Sequence, residues 1–291
     1  MLKGAITALV TPMKDGMVDE ERLRNLVDFQ IKNGISALVP CGTTGEAATL
    51  SYEEHMRVIE IVVEQSNKRV PVIAGTGSNS THETIYLTEF AKKVGCEAAL
   101  VVTPYYNKPT QKGLYEHFKA IADAVDIPIV LYNVPGRTAV NMLPDTVIKL
   151  SKIKNIVAVK EASGSLDQVS EIIAGVSPDF DLLSGDDSLT IPMMALGAKG
   201  VISVASNIAP KEVSSMVDFW LNGDHEEARK LHLKLFPLFK GIFIETNPIP
   251  IKKALHLVGI IENDIRLPLV EMTPEGTEKL KKILKDLNIL N

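Results

Sequence analysis

Ile156-Val157-Ala158-Val159-Lys160 is followed at once by Glu161-Ala162-Ser163-Gly164-Ser165, and this stretch is the clearest example of the unit from which the chain is built. A short run that is almost entirely apolar is typical of a parallel strand buried on both faces of its sheet. The polar turn behind it leads into an amphipathic segment with helical periodicity. The stretch therefore predicts one strand-and-helix unit of an α/β protein.

The same unit recurs along most of the chain. Apolar runs that predict strands occupy residues 5–10, 37–40, 70–74, 98–103, 129–133, 156–160, 181–184 and 200–205. Neither a GxGxxG fingerprint nor a Walker loop is present, so the usual reasons to prefer an open, doubly wound sheet are missing. Eight consecutive units predict a (β/α)8 TIM barrel.

Start and stop signals for helices separate these runs. Ser51, Ser80 and Ser165 are each followed three residues later by Glu or Gln, as in a capping box. Glycines at 34, 95 and 197 precede strands, as helix-terminating glycines do. Beyond residue 222 the alternation stops, and residues 224–239, 248–258 and 273–287 predict three more helices. We therefore expect a catalytic barrel over residues 1–223 and a helical appendage over 224–291 that serves packing or subunit assembly.

Composition narrows the classes of function. The 291 residues are 45% hydrophobic and 23% charged, with a net charge of −5 and no basic stripe, which argues against a nucleic-acid partner. No apolar run is long enough for a membrane span, and no signal-peptide pattern precedes the first predicted strand. We expect a cytoplasmic protein in which Cys41 and Cys96 are reduced, packed thiols. The spacing of Cys and His does not suggest a zinc site.

Lys160 is the candidate for chemistry. A lysine in a buried strand is costly, because desolvation disfavours the ammonium, and a neutral amine attacks carbonyls to form a Schiff base. The alternative is a strand-end lysine whose ammonium reaches water. Active sites of TIM barrels lie at the C-terminal ends of the strands. Lys3 and Lys199 precede strands and Lys108 lies in a polar loop, so Lys160 alone is predicted at that end.

Other strand ends supply polar groups that could act together with this lysine. Thr43 and Thr44, in a glycine-rich loop before a helix, suit a carboxylate, or they are part of an ordinary turn. Tyr132 lies in the fifth strand, where it is either a proton shuttle or an amphipathic rim residue. Arg137 suits a second carboxylate or a surface salt bridge.

Polar residues also follow the fourth and seventh strands. Tyr105 and Tyr106 follow the fourth strand and have the same two interpretations as Tyr132. Asp186 and Asp187 follow the seventh strand, and we interpret both as helix caps rather than metal ligands, because no third carboxylate is adjacent.

Five motifs in this order resemble the dihydrodipicolinate synthase family, within the N-acetylneuraminate lyase superfamily of class I aldolases. They are Gly42-Thr43-Thr44-Gly45-Glu46, Tyr105-Tyr106-Asn107-Lys108-Pro109, Tyr132-Asn133-Val134-Pro135-Gly136-Arg137-Thr138, Val159-Lys160-Glu161-Ala162-Ser163 and Asn247-Pro248-Ile249-Pro250. The first and fourth are shared across the superfamily. The double tyrosine and the arginine are similar to the synthases in particular. The resemblance covers essentially the whole chain.

The resemblance implies a reaction and a role for each residue. Lys160 would form an imine with pyruvate, and the derived enamine would attack the aldehyde of L-aspartate-4-semialdehyde. Thr43 and Thr44 would hold the pyruvate carboxylate, and Arg137 the carboxylate of the semialdehyde. The remaining roles are proton transfer by Tyr132, relayed through Thr44 to a Tyr106 of the neighbouring subunit, and lining of the pyruvate pocket by Gly185 and Ile202. A homotetramer built from two tight dimers is implied. No metal or organic cofactor is implied, because the lysine itself is the electron sink.

Feedback by L-lysine is a property of some members of the family. The positions that match their inhibitor site are Ala48, His55, Asn79, Glu83 and Tyr105. This chain departs from inhibitor-sensitive relatives at two positions, with Ala47 in place of a serine and Tyr52 in place of a histidine. Loss of these polar partners predicts weak or absent inhibition.

Two alternatives remain open on the sequence alone. A sibling aldolase that cleaves sialic acid or a 2-keto-3-deoxy sugar acid would share the lysine, tyrosine and threonine loop, but it would need hydroxyl-reading groups where Arg137 stands. A non-catalytic barrel that binds a keto acid is the second, because fold does not determine function. Imine trapping with pyruvate separates a binder from an aldolase.

Overall fold

A computed structural model describes residues 2–290. Its strands are β1 (Gly4–Ala8), β2 (Met13–Lys14), β3 (Met17–Val18), β4 (Ala37–Val39), β5 (Ile73–Gly75), β6 (Ala98–Val102), β7 (Ile129–Asn133), β8 (Ile156–Glu161), β9 (Asp181–Ser184) and β10 (Gly200–Ser203). Its α-helices are α1 (Glu20–Lys32), α2 (Tyr52–Ser66), α3 (Thr81–Val94), α4 (Gln111–Ala124), α5 (Pro135–Thr138), α6 (Pro144–Leu150), α7 (Leu166–Gly175), α8 (Thr190–Leu196), α9 (Pro210–Leu221), α10 (His225–Gly241), α11 (Ile249–Leu257) and α12 (Pro274–Asp286).

Eight of the strands form one parallel sheet that closes on itself. Their order is β4-β1-β10-β9-β8-β7-β6-β5, and a parallel bridge between Leu38 and Val72 joins the two ends. Each strand is buried on both faces, against helices outside and against the other strands inside. The predicted (β/α)8 barrel is confirmed, and all eight predicted strand regions contain a strand. Among residues 2–290, no helix has the length and apolar character needed to cross a membrane.

All three serines cap their helices as predicted, but only one of the three capping boxes is complete. Ser51 forms a complete capping box with Glu54, whereas Ser80 and Ser165 make only the forward bond to the backbone three residues on. The return bond, in which Gln168 Oε1 would accept from the Ser165 backbone N–H, is absent, because Gln168 Oε1 accepts from Asn141 Nδ2 at 2.9 Å and the Ser165 N–H donates to Ser163 Oγ.

Three helices follow the barrel, as predicted. Helix α10 packs on α9 and α8, and α11 lies near the loop behind β10. The boundary at residue 223 stays a prediction. The segment between α10 and α11 matters most for function, because it reaches across to the C-terminal ends of the strands.

Candidate active site

Lys160 and Tyr132 form the centre of the site. They are paired across the neighbouring parallel strands β7 and β8, so both side chains point to the same face, into the barrel. Lys160 is only 5% exposed, and its Nζ lies 4.2 Å from the centroid of the Tyr132 ring. The Tyr132 ring and the surrounding burial shield the Lys160 Nζ from bulk water. A buried amine and a phenol therefore lie together near the C-terminal ends of β7 and β8.

A polar network on the outside of the barrel sets this pairing. Asn133 and Glu161, the residues next to Tyr132 and Lys160, are also paired in register and point to the opposite face. The Glu161 carboxylate accepts from Asn133 Nδ2 at 3.1 Å, from Gln168 Nε2 at 3.1 Å and from the backbone N–H of Ser163 at 2.6 Å. A slip of one residue would turn Asn133 or Glu161 to the opposite face of the sheet and break these hydrogen bonds. The network therefore holds the two strands in register.

The loop after β4 brings the two predicted threonines to the barrel mouth. Thr44 is buried and Thr43 half-buried. The backbone N–H groups of Gly45 and Glu46 close turns onto Gly42 and Thr43, whereas those of Thr43 and Thr44 make no such bond within residues 2–290. Two free donors beside two hydroxyls suit a carboxylate.

Arg137 lies at the rim, in the short helix α5. Its Nη2 donates to the backbone carbonyl of Asn247 at 3.1 Å, and within residues 2–290 it has no carboxylate partner. The alternative of a surface salt bridge is therefore not realised in the described chain. Asn247 in turn donates from Nδ2 to Thr44 Oγ1 at 3.0 Å. The segment before α11 thus joins the arginine to the threonine loop, a link that was not predicted from the sequence.

Gly185 directly follows β9 and Ile202 lies in the adjoining strand β10, and their lining of a pyruvate pocket stays a prediction. Ile202 is fully buried inside the barrel in the same apolar cluster as Tyr132. A Cβ added to Gly185 would lie 2.7 Å from Ala162 Cβ and 3.1 Å from Lys160 Cε. The glycine therefore leaves the space in which the lysine chain runs.

Gly185→Ala is expected to lower kcat by roughly 10- to 100-fold, because the added methyl displaces the Lys160 stem and a misplacement near 1 Å costs about that much. The measurement is steady-state kinetics beside a thermal melt. Ala162→Gly removes the closest clashing atom, so the double variant should regain part of the lost rate. A Gly185→Ala protein with normal kcat would show that the lysine has other room.

Tyr106 stands apart from the other predicted residues. It is 89% exposed with a φ of +72°, and it projects from the loop after β6 into solvent. The structure joins Thr44 to Asn247 rather than to either tyrosine. The relay from Tyr132 through Thr44 to Tyr106 is therefore not assembled within one chain and stays a prediction.

The two aspartates after β9 have different roles. Asp186 accepts from the backbone N–H of Ser188 and caps the following turn, as predicted. The prediction for Asp187 was wrong: it is buried and accepts from Ser203 Oγ at 2.5 Å and from the backbone N–H groups of Val204 and Ala205. Burial raises the pKa of Asp187. Its carboxylate ties β9 to the end of β10, because those donors would otherwise be buried without a partner.

The predicted inhibitor positions lie near one another at the start of α2 and α3. Glu83 accepts from Ser78 Oγ at 2.5 Å, and the hydrogen bonds from Ser78 and Tyr52 lower its pKa. The backbone carbonyl of Asn79 accepts from Asn107, Tyr105 is half-buried and Ala48 is exposed. His55 differs in being buried, with Nε2 donating to the Gly75 carbonyl at 2.7 Å. Desolvation lowers the pKa of His55.

A closed parallel barrel with a buried lysine against a tyrosine at the mouth defines a lyase of the class I aldolase type. Within residues 2–290, no three His, Cys, Asp or Glu side chains are grouped to bind a metal. The chain belongs to the dihydrodipicolinate synthetase family, whose model matches residues 1–287.

Individual relatives agree with this assignment. A 4-hydroxy-tetrahydrodipicolinate synthase of Citrifermentans bemidjiense is 59% identical over 290 residues, which is 100% of each chain. The crystal structure of dihydrodipicolinate synthase from Aquifex aeolicus superimposes with a TM-score of 0.98 at 55% identity, covering 99% of both chains. A structure described as the first monomeric dihydrodipicolinate synthase variant has a TM-score of 0.97 at 44% identity, covering 99% of this chain and 97% of the other.

Proposed function

We propose that this protein condenses pyruvate with L-aspartate-4-semialdehyde, the reaction of a 4-hydroxy-tetrahydrodipicolinate synthase in lysine and diaminopimelate biosynthesis. The observation that carries the proposal is the Lys160 amine 4.2 Å from the Tyr132 ring at the mouth of the barrel. Family membership supports the same reaction. A cytoplasmic location is part of the proposal.

The first half of the reaction needs an amine and a proton carrier. The Lys160 amine attacks the keto carbon of pyruvate, and loss of water gives the imine. Removal of a methyl proton then gives the enamine. Each step moves a proton, and the Tyr132 hydroxyl is the nearest side-chain acid or base on the paired strand. The free N–H groups of Thr43 and Thr44 would hold the carboxylate while this happens.

The second half needs a site for the acceptor. The enamine carbon attacks the aldehyde, and the amine of the adduct then displaces Lys160 as the ring closes. Arg137 is at the rim without a carboxylate partner in the described chain, which suits recognition of the semialdehyde carboxylate. A sugar-acid aldolase would need hydroxyl-reading groups at this position. Arg137 therefore favours the semialdehyde over a polyhydroxylated substrate.

Assembly into a homotetramer of two dimers belongs to the same proposal. A tyrosine that is 89% exposed beside an active site is well placed to enter a neighbouring copy. One structural relative is described as a monomeric variant, so the oligomeric state of this protein has to be measured directly. Analytical ultracentrifugation at assay concentrations would establish it.

A coupled assay tests the reaction. The purified protein is incubated with pyruvate and L-aspartate-4-semialdehyde, and product is followed through dihydrodipicolinate reductase. Turnover supports the synthase. A borohydride-trapped pyruvate adduct without turnover would support imine formation but not the semialdehyde as acceptor. A sugar-acid aldolase would then be the function to test. Absence of both would contradict the proposal and favour a keto-acid-binding protein.

L-lysine at millimolar concentration is expected to lower the rate by less than half. Ala47 and Tyr52 remove two polar partners, each contributing about 1 kcal/mol, and Glu83 is already bonded by Ser78 and Tyr52. Initial rates against lysine concentration measure this directly. The Ala47→Ser/Tyr52→His double variant is the matched comparison, and it should become more sensitive. Inhibition of the unaltered protein by half or more would overturn the prediction.

A further inference from the structure

Asn247 contacts two of the proposed substrate-binding residues at once, so any role for it rests on the proposed function. Its side-chain Nδ2 donates to Thr44 Oγ1 at 3.0 Å, and its backbone carbonyl accepts from Arg137 Nη2 at 3.1 Å. Asn247 is 3% exposed. Asn247 lies 203 positions from Thr44 in the sequence. It thus contacts both the threonine proposed to bind the pyruvate carboxylate and the arginine proposed to bind the semialdehyde carboxylate.

One polar atom of the buried Asn247 side chain lacks a partner. Its Oδ1 is buried and has no hydrogen-bond partner. Buried amide oxygens are nearly always paired, because an unpaired one loses its bond to water without replacement. An apolar residue of similar volume would avoid that loss. The bond to Thr44 is therefore the feature that the amide provides.

That bond determines what the Thr44 hydroxyl can do. A hydroxyl has one hydrogen and two lone pairs, whereas an amide NH₂ only donates. When Oγ1 accepts from Asn247, its own hydrogen stays free for another acceptor, such as a keto-acid carboxylate or a tyrosinate. We infer that Asn247 is a positioning residue that keeps Thr44 Oγ1 an acceptor, and so directs the Thr44 hydrogen into the site while its carbonyl fixes Arg137.

Asn247→Asp tests the direction of this bond with little change in shape. An ionised carboxylate only accepts, so it would take the hydrogen of Thr44. We expect kcat/KM for pyruvate to fall about 100-fold at alkaline pH, the usual loss for one misdirected donor. The introduced carboxyl group regains an O–H donor when it is protonated, so the ratio of variant to wild-type activity should rise as pH falls.

The charged groups around residue 247 determine the pH range in which the introduced carboxyl group titrates. Arg137, on α5, donates to the backbone carbonyl of residue 247, and a cation this close to an introduced acid favours the ionised form. Glu46, two residues beyond Thr44, and Lys252, on α11, flank the contact but pair with each other. A cation bonded to the backbone of the same residue favours the carboxylate, so the recovery is expected on the acid limb of the profile.

Two further variants separate positioning from support. Asn247→Ala removes the donor without reversing the bond, and a fall of about 10-fold with no new pH dependence is expected. Asn155→Asp is the matched control: its amide donates to the carbonyls of Ala122 and Val125 at the opposite end of β8. It should lower the melting temperature and leave the pH profile unchanged.

The outcomes are separable from those of the proposed function. If the wild type turns over both substrates, the pH profile is read from turnover. If it forms only the pyruvate imine, the rate of borohydride trapping replaces turnover. Full activity of Asn247→Asp at alkaline pH, or a ratio independent of pH as in Asn155→Asp, would overturn the inference. An activity ratio that rises as pH falls supports it.

Discussion

Lys160→Ala and Lys160→Met proteins are expected to lose condensation activity by roughly 10⁴-fold or more, the scale of loss when a covalent nucleophile is removed. The imine is the electron sink that makes a pyruvate methyl proton acidic. No other lysine lies on β8 or on its neighbour β7. The methionine variant keeps a buried side chain of similar length at this position. Its melting temperature should therefore stay close to that of the wild type.

The measurement combines the coupled assay with borohydride reduction in pyruvate, followed by peptide mass spectrometry. The wild type should carry the reduced adduct on Lys160, and the variants none. Lys199→Ala is the matched control, because Lys199 precedes β10 at the opposite end of the barrel. It should keep nearly full activity. Turnover by Lys160→Met with an adduct on another lysine would show that a different amine forms the imine.

The barrel was predictable because its strands are buried on both faces. Such strands are continuous apolar runs, and eight of them at regular intervals leave few architectures open. The hairpin of β2 and β3 was not predicted, since strands of two residues have no periodicity to detect. Its turn did carry a signal: Asp15-Gly16, both with positive φ, is a dipeptide favoured in two-residue hairpin loops.

The positions of the site residues were predictable where those residues lie at or directly after the end of a strand. Lys160, Tyr132 and Gly185 lie at or next to strand ends, so the fold itself places them. Asn247 was recognised only as part of a motif, because its contact with Thr44 spans 203 residues. Local pattern contains no information about such pairings. The buried role of Asp187 was missed for the same reason, since its partners belong to the next strand.

Glu46 and Lys252 are the other long-range pair, and they connect the threonine loop to α11. Both side chains are buried, and Lys252 Nζ donates to Glu46 Oε1. Glu46 Oε2 also accepts the backbone N–H of Arg266 at 3.1 Å. Burial lowers the pKa of Lys252, against the opposing effect of Glu46. The loop that holds Thr43 and Thr44 is thus anchored by an ion pair inside the protein.

Lys252→Met is expected to destabilise the protein by about 3–5 kcal/mol, because it leaves the Glu46 carboxylate buried without its cation. At fixed protein concentration this corresponds to a melting temperature lower by roughly 5–15 °C. The KM for pyruvate should rise as well, since the loosened loop carries both threonines. Thermal melts and steady-state kinetics on the same preparations measure the two effects together.

A second substitution shows whether the lost stability of Lys252→Met comes from the unpaired Glu46 carboxylate or from the loss of the lysine side chain itself. Glu46→Gln removes the charge but keeps an oxygen for the Arg266 N–H, so the Glu46→Gln/Lys252→Met double variant should regain more than half of the lost stability. Lys230→Met is the matched surface control, because Lys230 pairs with Glu227 in water and its loss should not be measurable. If the double variant is no more stable than Lys252→Met, the unpaired carboxylate is not the source of the loss. In that case the packing of the lysine stem is what anchors the loop.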